Sequence, residues 1–148
     1  MGYSQSLTRL YLLDTHVWLW TVEGDHRRIG RRTARLLNRW AQQEAMRISP
    51  LSVFEVSYLH GTGRVAFART LDQWMSAALE NVRGRLAPVT TEIAILGGTI
   101  GGRLVSDPVD RLLIATAREL GATLVTADRR ILDYADSAGS PAVHDARR

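Results

Sequence analysis

Four acidic residues follow apolar segments that are expected to be strands, or lie in the first turn of the helix after such a strand. They are Asp14, Glu55, Asp110 and Asp128. Carboxylates close together resist joint ionisation, and a divalent cation relieves that repulsion. An all-oxygen ligand set suits Mg²⁺ or Mn²⁺, and such a metal can bind a phosphate oxygen and lower the pKa of an attacking water. The pattern therefore predicts a metal-dependent hydrolytic site.

Each of these acids also has a purely structural explanation, as the cap or first-turn charge of a helix. Glu55 follows Ser52 at the spacing of a capping box. Asp107 could cap a helix that begins at Pro108, which would place Asp110 in the first turn. The carboxyl ends of parallel strands share one edge of a sheet, where ligands bind. Four acids placed at such ends favour a common site over four unrelated caps.

The elements that must position these acids alternate between strands and helices. The sequence predicts strands at 10–13, 47–49, 86–89, 123–126 and 142–144, and helices at 16–22, 30–43, 52–60, 70–81, 91–100, 108–120 and 129–135. This alternation is typical of an α/β sandwich on a mostly parallel sheet. We expect one domain over residues 1–148, with a core at about 10–135 and a C-terminal tail at 136–148.

Composition narrows the class of protein. The 148 residues include 45% hydrophobic and 23% charged residues, as in a globular domain. The absence of cysteine excludes disulfides, thiolate metal sites and cysteine nucleophiles. No apolar run is long enough to span a membrane, and Met1–Arg9 lacks the apolar stretch of a signal peptide, so we expect a cytoplasmic protein with no membrane partner. The net charge of +4 suits a polyanionic partner.

Four segments of the chain, in order and spacing over about residues 10–135, resemble the PIN-domain superfamily, in particular the VapC-like toxins of bacterial toxin–antitoxin pairs. They are LLDTHVWLW (12–20), ISPLSVFEV (48–56), DPVDRLLIATAREL (107–120) and LVTADRRIL (124–132). The resemblance implies a three-layer α/β/α sandwich with a central parallel sheet. It also implies an endoribonuclease that depends on Mg²⁺ or Mn²⁺, is inhibited by a small cognate antitoxin and forms a homodimer.

The same resemblance implies a role for each acid. Asp14 and Asp110 match the principal metal ligands, and Glu55 matches the acid carried by a helix. Asp128 matches a fourth acid that acts through water or a second metal. Asp107, in the same motif as Asp110, is interpreted as a helix cap that helps to position the metal ligands without binding the metal itself.

Three further residues beside these acids have less specific signals. The hydroxyl groups of Thr15 and Thr126 could orient neighbouring carboxylates, although solvent-side caps are the favoured interpretation for both. His16, two residues after Asp14, could act as a general base, but a structural role is favoured because a metal-bound water need not have a protein base.

A basic stripe is the remaining signal for a nucleic-acid partner. Arg28, Arg32, Arg35 and Arg39 follow one another at i, i+4, i+7 and i+11, so in a helix they would lie on one narrow face. A solvated charged face is the favoured interpretation. The functional alternative is contact with the phosphates of bound RNA.

Two rival functions stay open, and a third is excluded by the residues present. A housekeeping PIN nuclease of RNA processing would use the same chemistry, and a non-catalytic nucleic-acid or protein-binding module could use the same fold. A phosphatase of the haloacid-dehalogenase type also begins with a strand ending in Asp, but it would need a second Asp where this chain has His16.

Overall fold

The computed structural model describes residues 9–83, 85–101 and 105–148. Its strands are β1 (Tyr11–Leu13), β2 (Met46–Arg47), β3 (Thr123–Thr126) and β4 (Val143–Asp145). Its helices are α1 (Thr15–Glu23), α2 (Arg31–Gln42), α3 (Pro50–Gly61), α4 (Leu71–Asn81), α5 (Thr91–Thr99), α6 (Pro108–Leu120) and α7 (Arg129–Ala138). All seven predicted helices are present, but α3 to α6 follow one another between β2 and β3 without an intervening strand.

The four strands form one parallel sheet in the order β2-β1-β3-β4. In register, Tyr11 of β1 lies opposite Thr123 of β3. Successive side chains of a strand point to opposite faces, and accordingly Leu12 and Leu13 belong to two separate hydrophobic clusters. One cluster contains helix residues such as Trp18, and the other is formed largely with α5 and α6. The predicted three-layer α/β/α sandwich is therefore confirmed.

The predicted strand at 86–89 is wrong. Leu86 forms only an isolated parallel bridge to Ile48, supported by hydrogen bonds from Ala87 N to Ile48 O and from Ile48 N to Arg85 O. Pro88 has no backbone N–H and therefore cannot extend the ladder. The segment between α4 and α5 therefore pairs with the sheet only at this single bridge.

The C-terminal tail contains the strand predicted at 142–144, which the structure has as β4 (Val143–Asp145). Its strand β4 pairs with β3, and Ala146 N donates to Thr126 O. The last residues contact α2, because Gly30 N donates to Ala146 O while the Thr33 amide and hydroxyl both donate to Arg148 O. The tail therefore forms the edge strand of the sheet and joins it to the start of α2.

No helix in the described part of the chain is long and apolar enough to cross a membrane.

Gly30 provides a test of this terminal packing. Its φ of −66° and ψ of 158° suit any residue, but a Cβ there would overlap the backbone carbonyl of Arg148. We expect Gly30→Ala to lower the free energy of unfolding by about 1–3 kcal/mol, the usual cost of overpacking, as measured by urea denaturation. Gly98→Ala is the control, because a Cβ there meets nothing within 4 Å. Wild-type stability in Gly30→Ala would contradict the packing.

Candidate active site

The predicted acids meet in one pocket. It has a volume of about 310 Å³ and lies at the carboxyl edge of the sheet, where β1 and β3 end. Its walls are formed by Asp14, His16, Trp20, Glu55, Asp107, Asp110, Ala127 and Asp128. All four predicted acids and Asp107 are among them, although they come from four separate parts of the chain.

Asp14 is the most constrained of these side chains. It follows the last residue of β1, where its amide donates to Val125 O of the neighbouring strand at 2.9 Å. Its Oδ1 accepts a hydrogen bond of 2.7 Å from the Thr15 amide and so caps α1, while its Oδ2 accepts one of 2.7 Å from the Thr126 hydroxyl. With 7% of its surface exposed, the carboxylate is held in place by two donors.

Thr126 connects two of the acids. The side chain is fully buried, so the favoured interpretation of a solvent-side cap is wrong. Its hydroxyl donates to Asp14 and accepts a hydrogen bond of 3.0 Å from the Asp128 amide. Asp128 in turn caps α7, because its Oδ1 accepts a hydrogen bond of 2.8 Å from the Arg130 amide. One hydroxyl thus sets the separation of the first and fourth acids.

Thr15 joins α1 to α3 and thereby positions Glu55. Its fully buried hydroxyl, which is likewise not a solvent-side cap, lies 2.8 Å from that of Ser52. The capping-box interpretation of Ser52 and Glu55 is also wrong, because α3 begins earlier, with Ser49 as its cap. Glu55 instead lies in the interior of α3, one turn after Ser52, and contributes to the pocket wall.

Asp107 and Asp110 enter the pocket from the start of α6. Asp107 caps this helix, as its sequence predicts, because its Oδ1 accepts hydrogen bonds from Val109 N at 2.8 Å and Asp110 N at 3.2 Å. Pro108 occupies the first turn, where a missing N–H costs nothing. Asp110 therefore lies in the first turn with no capping role of its own.

Electrostatic repulsion concentrates on Asp110. Burial first, and then the negative charges of Asp14, Asp107, Asp128 and Glu55, raise the pKa of Asp110 to about 7. Burial also raises the pKa of Asp14, against the lowering effects of the Thr126 hydrogen bond, the His16 ring and the Thr15 amide. The negative charge of Glu55 adds a smaller rise to the pKa of Asp14. At Asp110 every neighbouring charge raises the pKa, as expected when carboxylates share one site.

Two pocket residues had weak or no signals in the sequence. His16 is exposed and contributes to the wall, close enough to lower the pKa of Asp14. Trp20 was not predicted, although it lies one helical turn after His16, and the two ring centroids are 5.9 Å apart. The i, i+4 spacing on α1 is the signal that could have indicated it.

The basic stripe is not a single helical face. Arg28 precedes α2, forms an ion pair of 3.5 Å with Asp25 and lies over the Trp20 ring at 5.5 Å. The other three members, Arg32, Arg35 and Arg39, are exposed residues of α2. None of the four contributes to the acidic pocket.

The chemistry of the donor set fits a hard divalent cation. Carboxylate oxygens from four elements surround one pocket, and their mutual repulsion is the condition that such a cation relieves. Within the described ranges, no three Asp, Glu or His side chains are close enough to form a ready-made ligand set. A cation would therefore have to draw the carboxylates together as it binds.

Comparison with known proteins defines the family. Residues 11–137 match the family model of the PIN domain, and the chain belongs to that family. It is similar to ribonuclease VapC22 of Mycobacterium tuberculosis, with 29% identity over 123 residues, which are 83% of this chain and 90% of that protein.

Two solved structures share the fold. One is VapBC2 from Rickettsia felis bound to a DNA fragment from their promoter, with a TM-score of 0.63 and 17% identity, covering 92% of this chain and 98% of that one. The other is FitAB bound to an IR36 DNA fragment, with a TM-score of 0.64 and 19% identity, covering 94% of this chain and 96% of that one.

The raised pKa of Asp110 predicts how stability depends on pH in EDTA. In the unfolded chain this group ionises near pH 4, but in the folded protein only near pH 7. The free energy of unfolding therefore falls as pH rises from about 4 to about 7, and it stays at the lower value above pH 7. Because Asp110→Asn removes the titrating group, we expect this variant to melt higher than wild type at pH 8 and at about the same temperature at pH 4, by differential scanning fluorimetry.

The matched control is Asp72→Asn, which removes an exposed acid from the first turn of α4, outside the pocket. It should lose only the favourable interaction with the helix dipole and be slightly less stable than wild type at pH 8. If Asp110→Asn were likewise destabilised at pH 8, the repulsion described here would be refuted.

Proposed function

We propose that this chain is a metal-dependent endoribonuclease and the toxin of a toxin–antitoxin pair. The observation that carries the proposal is the convergence of four carboxylates, from four different elements, on one pocket at the carboxyl edge of the sheet. Membership of the PIN domain family and the similarity to a ribonuclease support the activity. The similarity in fold to the VapBC2 and FitAB structures supports the toxin role.

The side chains that would hold Mg²⁺ or Mn²⁺ are Asp14 and Asp110, with Glu55 and Asp128 around them. When bound, the metal supplies Lewis-acid stabilisation of the phosphate and lowers the pKa of the attacking water. The Thr126 hydroxyl holds the Asp14 carboxylate in place without a metal, because it donates a hydrogen bond to Oδ2. Asp110 must lose its proton to act as a ligand, so the raised pKa predicts weaker metal affinity below neutral pH.

The other pocket residues have supporting roles in this proposal. Asp107 keeps the first turn of α6 in place through its two amide contacts and so positions Asp110. Thr15 positions Glu55 by binding Ser52 across the gap between α1 and α3. His16 and Trp20 form an outer wall past which the RNA strand would enter.

We also propose that the protein acts in the cytoplasm as a homodimer that a small cognate antitoxin inhibits. The support is the resemblance to VapC-like toxins and the fold shared with the VapBC2 and FitAB structures.

Cleavage of single-stranded RNA tests the assigned acids. Asp14→Asn and Asp110→Asn each remove a charged ligand with almost no change of shape, so each should reduce the cleavage rate by about a hundredfold or more, several kcal/mol of transition-state stabilisation. Glu55→Gln and Asp128→Asn should also reduce it. EDTA should abolish cleavage, and Mg²⁺ or Mn²⁺ should restore it.

Asp133→Asn, an exposed acid on α7 outside the pocket, controls for the loss of one negative charge. In addition, excess metal should raise the melting temperature of wild type far more than that of Asp110→Asn, since a ligand that binds only the folded state stabilises it. Retained cleavage in folded Asp14→Asn and Asp110→Asn would refute the site, and cleavage in EDTA would refute the metal.

The antitoxin is tested through the neighbouring gene. We expect a short adjacent reading frame whose product co-purifies with this chain and inhibits its cleavage of RNA. A protein with no such neighbour, active on a defined RNA precursor, would instead be a housekeeping nuclease.

A further inference from the structure

A second polar pocket lies at the opposite edge of the sheet from the acids. Its volume is about 400 Å³, and Tyr11, Thr123 and Val143 contribute to its wall. These are the first residues of β1, β3 and β4, so the pocket opens at the amino edge. Arg9, Arg32 and Arg39 supply its charge, the His144 ring lies beside them, and none of its lining residues in the described part of the chain is acidic.

The three arginines have no counter-charge among the described residues. In the ranges that the structure describes, none of their guanidinium groups forms a salt bridge or a hydrogen bond. Elsewhere, arginines close to carboxylates do pair, as Arg85 does with Glu44 at 2.8 Å. Two acids adjoin lining residues of this pocket in sequence, and both are already paired: Asp145 with Arg147 at 3.0 and 3.1 Å, and Glu44 with Arg85. Three cations that share a pocket without a counter-charge repel one another unless an anion binds.

The floor of this basic pocket is rigid. The Tyr11 and Trp40 rings stack with centroids 3.9 Å apart, and His144 packs edge-on against Trp40 at 5.7 Å. The Thr33 hydroxyl donates its hydrogen to Arg148 O, so its second contact, of 2.8 Å, must be donated by Nε2 of His144. Burial, followed by the positive charges of Arg32 and Arg148, lowers the pKa of His144. The ring is therefore a fixed wall beside the arginines.

We propose that this pocket binds a phosphate group, held by Arg9, Arg32 and Arg39. Guanidinium groups match phosphate oxygens with paired N–H donors, and exposed arginines on one helix can close on an anion without moving the backbone. The phosphate can belong to an RNA strand away from the scissile bond or to a free phosphate compound. Only the RNA source depends on the function proposed above.

The first experiment is a titration of the protein with inorganic phosphate in EDTA, followed by the ¹H–¹⁵N signals of the histidine rings. We expect a saturable shift at His144 and none at His60, which lies outside this pocket. The shift should disappear in Arg32→Gln/Arg39→Gln. It should persist in Arg64→Gln/Arg69→Gln, the control that removes two exposed arginines between α3 and α4 and so loses the same charge.

The second experiment distinguishes the two sources of phosphate. Binding of a 2′-O-methyl RNA oligonucleotide, which cannot be cleaved, is measured in EDTA over a range of salt concentrations. Loss of two phosphate contacts should reduce the log–log slope by about 1.4, at roughly 0.7 for each contact with a single strand. We expect that reduction in Arg32→Gln/Arg39→Gln relative to the Arg64→Gln/Arg69→Gln control.

Each outcome decides one part of the proposal. A His144 shift with a reduced slope assigns the pocket to RNA, while a His144 shift with a slope equal to that of the control assigns it to a free phosphate compound. No saturable shift at His144 overturns the proposal. Because neither measurement involves cleavage, failure here is distinct from failure of the nuclease assignment.

Discussion

The hydrogen bond from the Thr126 hydroxyl to Asp14 Oδ2 is the contact on which the candidate active site depends. It joins the carboxyl ends of two adjacent parallel strands and satisfies a carboxylate that is 7% exposed. A buried charge without such donors would destabilise the fold by several kcal/mol. The same hydroxyl accepts from the Asp128 amide, so the start of α7 is placed relative to β1 as well. The remaining acids are positioned around this pair.

Helix capping uses only some of the lone pairs of these carboxylates and leaves others for the proposed metal. Asp14, Asp107 and Asp128 each accept an amide hydrogen bond with Oδ1 and thereby begin α1, α6 and α7. The N-termini of three helices consequently direct partial positive charge at the pocket, which offsets part of the repulsion. Asp110 caps nothing, and the uncompensated repulsion is greatest there. The fold thus retains an unfavourable charge at the position that the proposed function requires, a stability cost that is common at active sites.

Charge is divided between the two edges of the sheet. Carboxylates line the pocket at the carboxyl edge, whereas arginines line the pocket at the amino edge. This division follows from the βα connections, because helices begin near the carboxyl ends of strands and place their capping acids there. Helix α2, by contrast, follows another helix and contributes Arg32 from its first turn and Arg39 from its last turn to the pocket at the amino edge. A polyanion that contacts both edges would meet its counter-charges away from the acidic centre.

The sequence by itself determined the α/β class, the four acids and those elements whose ends carry local signals. Helix α6 and strand β3 have the predicted bounds, because Asp107 and Pro108 begin the helix and Gly121 ends it before a short apolar run. Only the tertiary structure decided the contacts between residues that are distant in sequence. Thr126 and Asp14 are 112 positions apart, and Thr15 and Ser52 are 37 apart, so no local pattern indicates either hydrogen bond. The sequence placed Arg32 and Arg39 on one basic stripe, but it did not indicate the basic pocket, because its walls come from three strands and α2 and meet only when the chain folds.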